Sequence, residues 1–172
     1  LTLVPMLTSK FFANGIHHHY GMGKFMPNFP RPYFDSLVAG SDAGIAKETV
    51  DILFDPAVDT KKVSLDRDKD VVLASAVNFY GDDVNAKEVA AFYAAREDKN
   101  DSTPLSWGLN SKLVRGADGK LMEQTWKVGG MYGAALSEVV KWLEKAKEVA
   151  ENPQQAKAIG LLIEYYKTGD LK

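Results

Sequence analysis

The clearest hydrophobic periodicity lies near the C-terminal end of the chain. In "MYGAALSEVVKWLEKAKEVAE", Leu136, Val139, Val140, Leu143 and Val149 recur mostly at three- and four-residue steps. That spacing gathers them on one face of a helix. A second helix is marked by Asn152 as N-cap, Pro153 at the first helical position and Gly169 near its end. Ile159, Ile163 and Tyr166 form its apolar face, and the short turn between the two predicts an antiparallel pair. Upstream, "NAKEVAAFYAAR" offers Asn85 as N-cap with Glu88 three residues on, a capping-box pattern, and Val89, Phe92 and Tyr93 as its stripe.

Between these helices the period changes. "SKLVRGADGKLMEQTWKV" is two mixed apolar and polar runs around Ala117, Asp118 and Gly119, which predicts a hairpin ended by Gly129 and Gly130. "EDKNDSTP" before it is a loop. "AGIAKETVDILF" spaces Ile45, Val50 and Leu53 as a helix from Ala43 to Phe54, stopped by Pro56. "DVVLASAVNFY" (70–80) is apolar enough for a buried helix or strand, and periodicity does not choose between them. In "KFMPNFPRPYF", Pro27, Pro30 and Pro32 exclude a long helix, so residues 1–35 are expected to hold a loop packed by Phe25, Phe29, Tyr33 and Phe34.

Composition narrows the function classes. The 172 residues are 45% hydrophobic, enough for a core at this length, and carry a net charge of −2. Such a balance lacks the basic excess of a nucleic-acid binder. With no cysteine there are no disulfides, thiolate metal sites or cysteine nucleophiles, and the chain fits a reducing compartment, the cytoplasm first. No apolar run approaches the ~20 residues that span a bilayer, so no membrane partner is expected. The opening "LTLVPMLTSKFF" lacks the basic flank and long apolar run of a signal peptide. A start on Leu1 and a stop at Lys172 suggest a piece of a longer protein.

All three histidines stand together at His17, His18 and His19. In a strand His17 and His19 would share a face and could reach one metal, but zinc needs a third ligand and no carboxylate lies nearby in sequence. Hydrogen-bonded or solvated imidazoles are the simpler expectation. "GMGK" is not a Walker loop, which would need Gly at the place of His18 and Ser or Thr at the place of Phe25. "VGGMYG" lacks dinucleotide-binding spacing and is expected to be a tight strand-to-helix turn. Glu144 and Glu148 are like charges on one helix face, offset by Lys145 and Lys147. No serine has a G-x-S-x-G frame. The residues by themselves describe a mixed α and β chain without a self-contained active site.

Several stretches together resemble the zinc metallopeptidases of the dipeptidyl peptidase III family, bacterial branch. They are "NGIHHHYGMGKFMPNFP", "ASAVNFYG" with "NAKEVAAFY", "WGLNSKLV", and "KVGGMYGAALSEVVKWLEKAKEVAENPQQAKAIGLLIEYYKTGDL", in the family's order over nearly the whole chain. The resemblance implies an α+β fold, helices packed on a small antiparallel β element, within the lower lobe of a two-lobed metallopeptidase. Residues 1–172 would be one fragment of that lobe, with subregions 1–80, 81–130 and 131–172. It implies removal of dipeptides from peptide N-termini, with zinc polarising the carbonyl and activating water. The family holds zinc by an H-E-x-x-G-H helix and a further downstream Glu. Neither motif is in this sequence, so this chain alone is expected to be inactive, to supply no metal ligand or catalytic residue, and to need the remaining lobe of its polypeptide.

In the family, the segment matching "HYGMGKF" lies at the peptide cleft. By that match Tyr20 is the aromatic of a subsite wall, with His19 beside it, and Gly21, Lys24 and Phe25 complete the motif. Relatives often carry Asp where this chain has Met22, which leaves that position without a carboxylate for the substrate's amino terminus. The competing expectation for Tyr20 is packing, and for the chain a non-catalytic peptide-binding or scaffold module.

Overall fold

A computed structural model describes residues 3–171. Among the described residues the fold is α+β, with six helices and a two-stranded antiparallel sheet. The chain forms two units, one ending at Val77 and the other beginning at Asn78.

The first unit contains α1 (Leu3–Phe12), α2 (Arg31–Ala39) and α3 (Lys47–Phe54). Its core is aromatic: Phe29, Phe34 and Val50 are buried, and Val38, Leu53 and Phe54 pack against them. The Phe29 and Phe34 rings stack with centroids 6.5 Å apart, and Phe54 closes on both at 6.0 and 5.5 Å. Of the rings expected to pack in the Pro-rich stretch, Phe29 meets Tyr33 and Phe34 while Phe25 lies against His18, and the segment is not all loop. Pro30 is the N-cap of α2 and Pro32 sits in its first turn, so Tyr33 and Phe34 are helical. A proline there costs nothing, because the first N–H groups of a helix have no internal partner. α3 is shorter than the periodicity suggested: Ala46 is its N-cap, and residues 43–46 precede the helix.

Residues 70–77 are neither helix nor continuous strand. The Asp70 carboxylate accepts from the Val72 and Leu73 N–H groups, at 3.0 Å each, and holds a turn. The Ser75 hydroxyl donates back to the Val71 carbonyl. Side-chain acceptors offering the backbone a local partner override the apolar composition here.

The second unit is built on the hairpin. β1 (Ser111–Arg115) pairs with β2 (Leu121–Thr125) in the register Leu113↔Glu123. On the other edge of β1, Leu113 donates to the Phe79 carbonyl and Gly81 donates to the Leu113 carbonyl, a parallel bridge of residues 79–81. Leu113 is consequently fully buried, as is Val84. α4 (Ala86–Ala94) starts in the expected capping box of Asn85 and Glu88. α5 (Gly133–Glu148) and α6 (Pro153–Thr168) pack together, with Val140 and Ile163 buried and Leu136, Leu143, Ile159 and Tyr166 half-buried, whereas Val139 and Val149, expected on the same face, are exposed and Val149 lies past the end of α5. Asn152 accepts from the Gln155 N–H, and Gly169 closes α6 at φ 71°. Glu144 pairs with Lys167 across the helices at 2.7 Å, rather than being relieved by Lys145 or Lys147. The Lys145 ammonium lies over the Trp142 ring.

Candidate functional site

The expected site residues His19 and Tyr20 occupy the tip of a tight hairpin. Its arms are joined by Phe25 N–H to the Ile16 carbonyl and by His18 N–H to the Gly23 carbonyl, each 2.8 Å, with His17 bridged to Lys24. The returning arm also pairs with residues 60–62: Lys24 donates to the Thr60 carbonyl and Lys62 to that of Met22. The tip is therefore held from behind by main-chain bonds, while Tyr20 is 92% exposed. The His19 ring meets the Tyr20 ring edge-on at 4.7 Å. Met22 adopts φ 56°, a left-handed conformation in which Asp and Asn are enriched and Met is uncommon.

Lys24 fixes this hairpin to α3. Its ammonium donates to the Ile52 carbonyl at 2.8 Å and to the carbonyls of Asp55 and Val58. Carbonyls at the end of a helix lack internal partners and carry partial negative charge, so a lysine there serves as donor and counter-charge together.

A cavity of about 670 Å³ opens beside the tip. Tyr20, Gly21, Met22, Asp59, Lys61 and Asp66 are among the residues that line it. Ser64, also in the lining, is buried, and its N–H donates to the Ser75 hydroxyl at 2.8 Å. The lining thus combines an aromatic ring, both signs of charge and polar groups. Asp59, Lys61, Ser64 and Asp66 were not visible as site residues in the sequence. They are brought near Tyr20 by the pairing of residues 22–24 with 60–62 and by the His17 and Lys24 side-chain bonds to the carbonyls of residues 52–59; the sole local signal was the polar, Pro-containing run after α3.

The three imidazoles do not converge. His17 Nε2 donates to the Asp59 carbonyl at 2.7 Å, His18 lies on the Phe25 ring at 3.8 Å, and His19 leans on Tyr20. The chain turns at His19, so His17 and His19 do not share the face that a continuous strand would give them. These residues do not fit a zinc site, and no metal-competent group of three or more His, Asp or Glu occurs among the described residues.

A second polar cluster joins α4 to the hairpin. Ser111 Oγ and the Tyr93 hydroxyl both donate to Glu123 Oε1, at 2.7 and 3.0 Å, and Arg96 pairs with Oε2. Burial alone would raise the Glu123 pKa; the hydrogen bonds from Ser111, Arg96 and Tyr93 outweigh it and hold the carboxyl below its ordinary range. Burial, followed by the bond to Glu123, pushes the Tyr93 phenol up to about 12. Arg96 lies over the Phe92 ring, with its carbon 4.4 Å from the centroid. Gly108, at φ 80°, passes so close that a Cβ there would stand 2.7 Å from the Tyr93 hydroxyl. A carboxylate saturated by three donors is a strut rather than a general base. Likewise Arg115 ties Asp83 to Glu88, whose other oxygen accepts from the Asn85 N–H.

No family model matches the chain, and no curated protein matches it. No helix among the described residues is long and apolar enough to cross a membrane.

Proposed function

We propose that this chain is part of a zinc-dependent dipeptidyl peptidase of the dipeptidyl peptidase III type, in which it supplies scaffold and one wall of the peptide cleft. The observation that carries the reading is the placement of Tyr20: an almost fully exposed ring on a hairpin tip fixed from behind, at the rim of a cavity with polar walls. An exposed aromatic on a rigid support loses little entropy on binding and offers both a ring face and a hydroxyl to a peptide. The ordered sequence stretches that resemble the family support the same reading.

In this account the chain's own residues bind and orient. Tyr20 packs on the substrate, His19 props its ring from the side, and Lys24 holds the hairpin against the end of α3. The zinc belongs to residues outside these 172, and none of the three histidines serves it. The test is made on the whole polypeptide that carries this chain. It is expected to contain one zinc, to release dipeptides from the N-termini of short peptides, and to lose that activity with a chelator. A zinc-free polypeptide that binds peptides without cleaving them would replace this reading with that of a binding module.

A further inference from the structure

The charged side chains that line the cavity beside Tyr20 are not equivalent. Asp66 pairs with Lys69 at 3.6 Å and also accepts from the Asp68 N–H. The Lys61 ammonium, by contrast, has no ion pair or hydrogen bond among the described residues, and Asp59, the remaining carboxylate of the lining, does not pair with it. An ammonium without an internal counter-charge is the one that an incoming anion can use without first breaking an ion pair.

The main chain sets the place of this lysine. Lys61 stands opposite Gly23 in an antiparallel bridge, between the bonds of the Lys24 N–H to the Thr60 carbonyl at 3.0 Å and of the Lys62 N–H to the Met22 carbonyl at 2.8 Å. On its other edge the Lys61 carbonyl accepts from the Ala76 N–H at 2.8 Å. Gly23 has no side chain, and the lysine lies across it: a Cβ there would stand 3.8 Å from Nζ. The free charge is thus carried on a segment paired on both edges, beside the hairpin tip that presents Tyr20.

A second donor lines the same cavity. Ser64 is 8% exposed; its hydroxyl accepts from the Asp66 N–H at 3.4 Å, and its own proton has no acceptor among the described residues. A buried hydroxyl is normally bonded through its proton as well. Ammonium and hydroxyl both call for an acceptor oxygen, and the ammonium calls for a negative one.

We propose that the Lys61 ammonium and the Ser64 hydroxyl receive a carboxylate of the bound peptide, so that Lys61 selects peptides carrying one at this place. The proposal rests on the reading of the cavity as part of a peptide cleft. A peptide offers carboxylates from two sources, its C-terminus and an Asp or Glu side chain, and the experiment separates them.

Calorimetry on the whole polypeptide measures the binding of pentaalanine made uncleavable by N-methylation of its second peptide bond. It is used as the free acid, as the C-terminal amide, and as an amide with glutamate in the last position. The free acid or the glutamate amide should bind about tenfold or more tighter than the plain amide, the worth of one charge-assisted hydrogen bond. The first result assigns the site to a chain-terminal carboxylate, the second to a side-chain one. Lys61→Met should erase the preference and leave the plain amide within about twofold, whereas Lys61→Arg should keep it. Ser64→Ala should narrow it by about threefold, in a variant whose melting temperature shows it folded. Equal wild-type affinities for all the peptides overturn the proposal and leave the cleft reading standing. So does a Lys61→Met variant that weakens all of them alike. Absence of binding by any of them removes the cleft reading, and this proposal with it.

Discussion

The Lys24 ammonium donates to the Ile52 carbonyl at 2.8 Å, joining the hairpin that carries Tyr20 to the last turn of α3. With the carbonyls of Asp55 and Val58 as further acceptors, this one side chain gathers three main-chain oxygens at and just beyond the end of α3. Charged hydrogen bonds of this kind contribute about 1.5–3 kcal/mol. Lys24→Met keeps the stem and removes the donor, so it should lower unfolding free energy by about that amount, read by denaturant titration. An unchanged midpoint would mean that water replaces the ammonium without loss.

Gly169 ends α6 where the helix meets the hairpin. Its carbonyl accepts from the buried Asn110 side chain at 2.9 Å, and a Cβ on it would come within 2.4 Å of Thr125 Cγ2. Together with its φ of 71°, this makes Gly169→Ala destabilising by at least the ~1 kcal/mol of a left-handed alanine. The paired variant Thr125→Ser, which deletes the clashing methyl, should recover part of the loss. Equal melting temperatures for the wild type and Gly169→Ala would contradict this contact.

Helix ends were the most legible part of the sequence because their signals are local. Asn85 with Glu88, and Asn152 with Pro153 and Gly169, name their own partners within a few residues, and the hairpin announces itself through Asp118 and Gly119. Pro32 misled because a proline excluded from a helix interior is welcome in a first turn. Residues 70–77 misled because apolar content cannot reveal that the Asp70 carboxylate has captured the Val72 and Leu73 N–H groups. At the candidate site, Tyr20 stood out by family resemblance alone. Asp59, Lys61 and Ser64 did not, since nothing local records that residues 60–62 pair with residues 22–24.

The Tyr93–Glu123 pair should give stability a dependence at both ends of the pH scale. The phenol is raised to about 12, against about 10 in an unfolded chain, so the folded state holds its proton longer. Its contribution is full below pH ~10 and is lost as pH rises toward 12. Glu123 is lowered, so its contribution is present above the unfolded value of ~4.3 and is lost as pH falls through the folded pKa. Tyr93→Phe should flatten the alkaline fall in melting temperature relative to the wild type, and Glu123→Gln the acid one. Parallel curves for variants and wild type would show that the cluster does not titrate with folding.

Zinc should bind this chain no more tightly than it binds a short histidine-containing peptide. The Nε2 of His17 is engaged by the Asp59 carbonyl, and the other two rings rest on Phe25 and Tyr20. Two imidazoles at most are free to chelate, one fewer than a protein zinc site requires. Calorimetry is the check, and submicromolar one-to-one binding abolished by His19→Ala would contradict it.

Tyr20→Ala, made in the whole polypeptide, tests the central claim most directly. Truncation removes a ring that is already in water, so melting temperature and zinc content should stay as they are. The loss should fall on kcat/KM, by about 10- to 100-fold, which is ~1.4–2.7 kcal/mol of substrate binding in the transition state. Unaltered kcat/KM for dipeptide release, with or without a lowered melting temperature, would remove Tyr20 from the cleft.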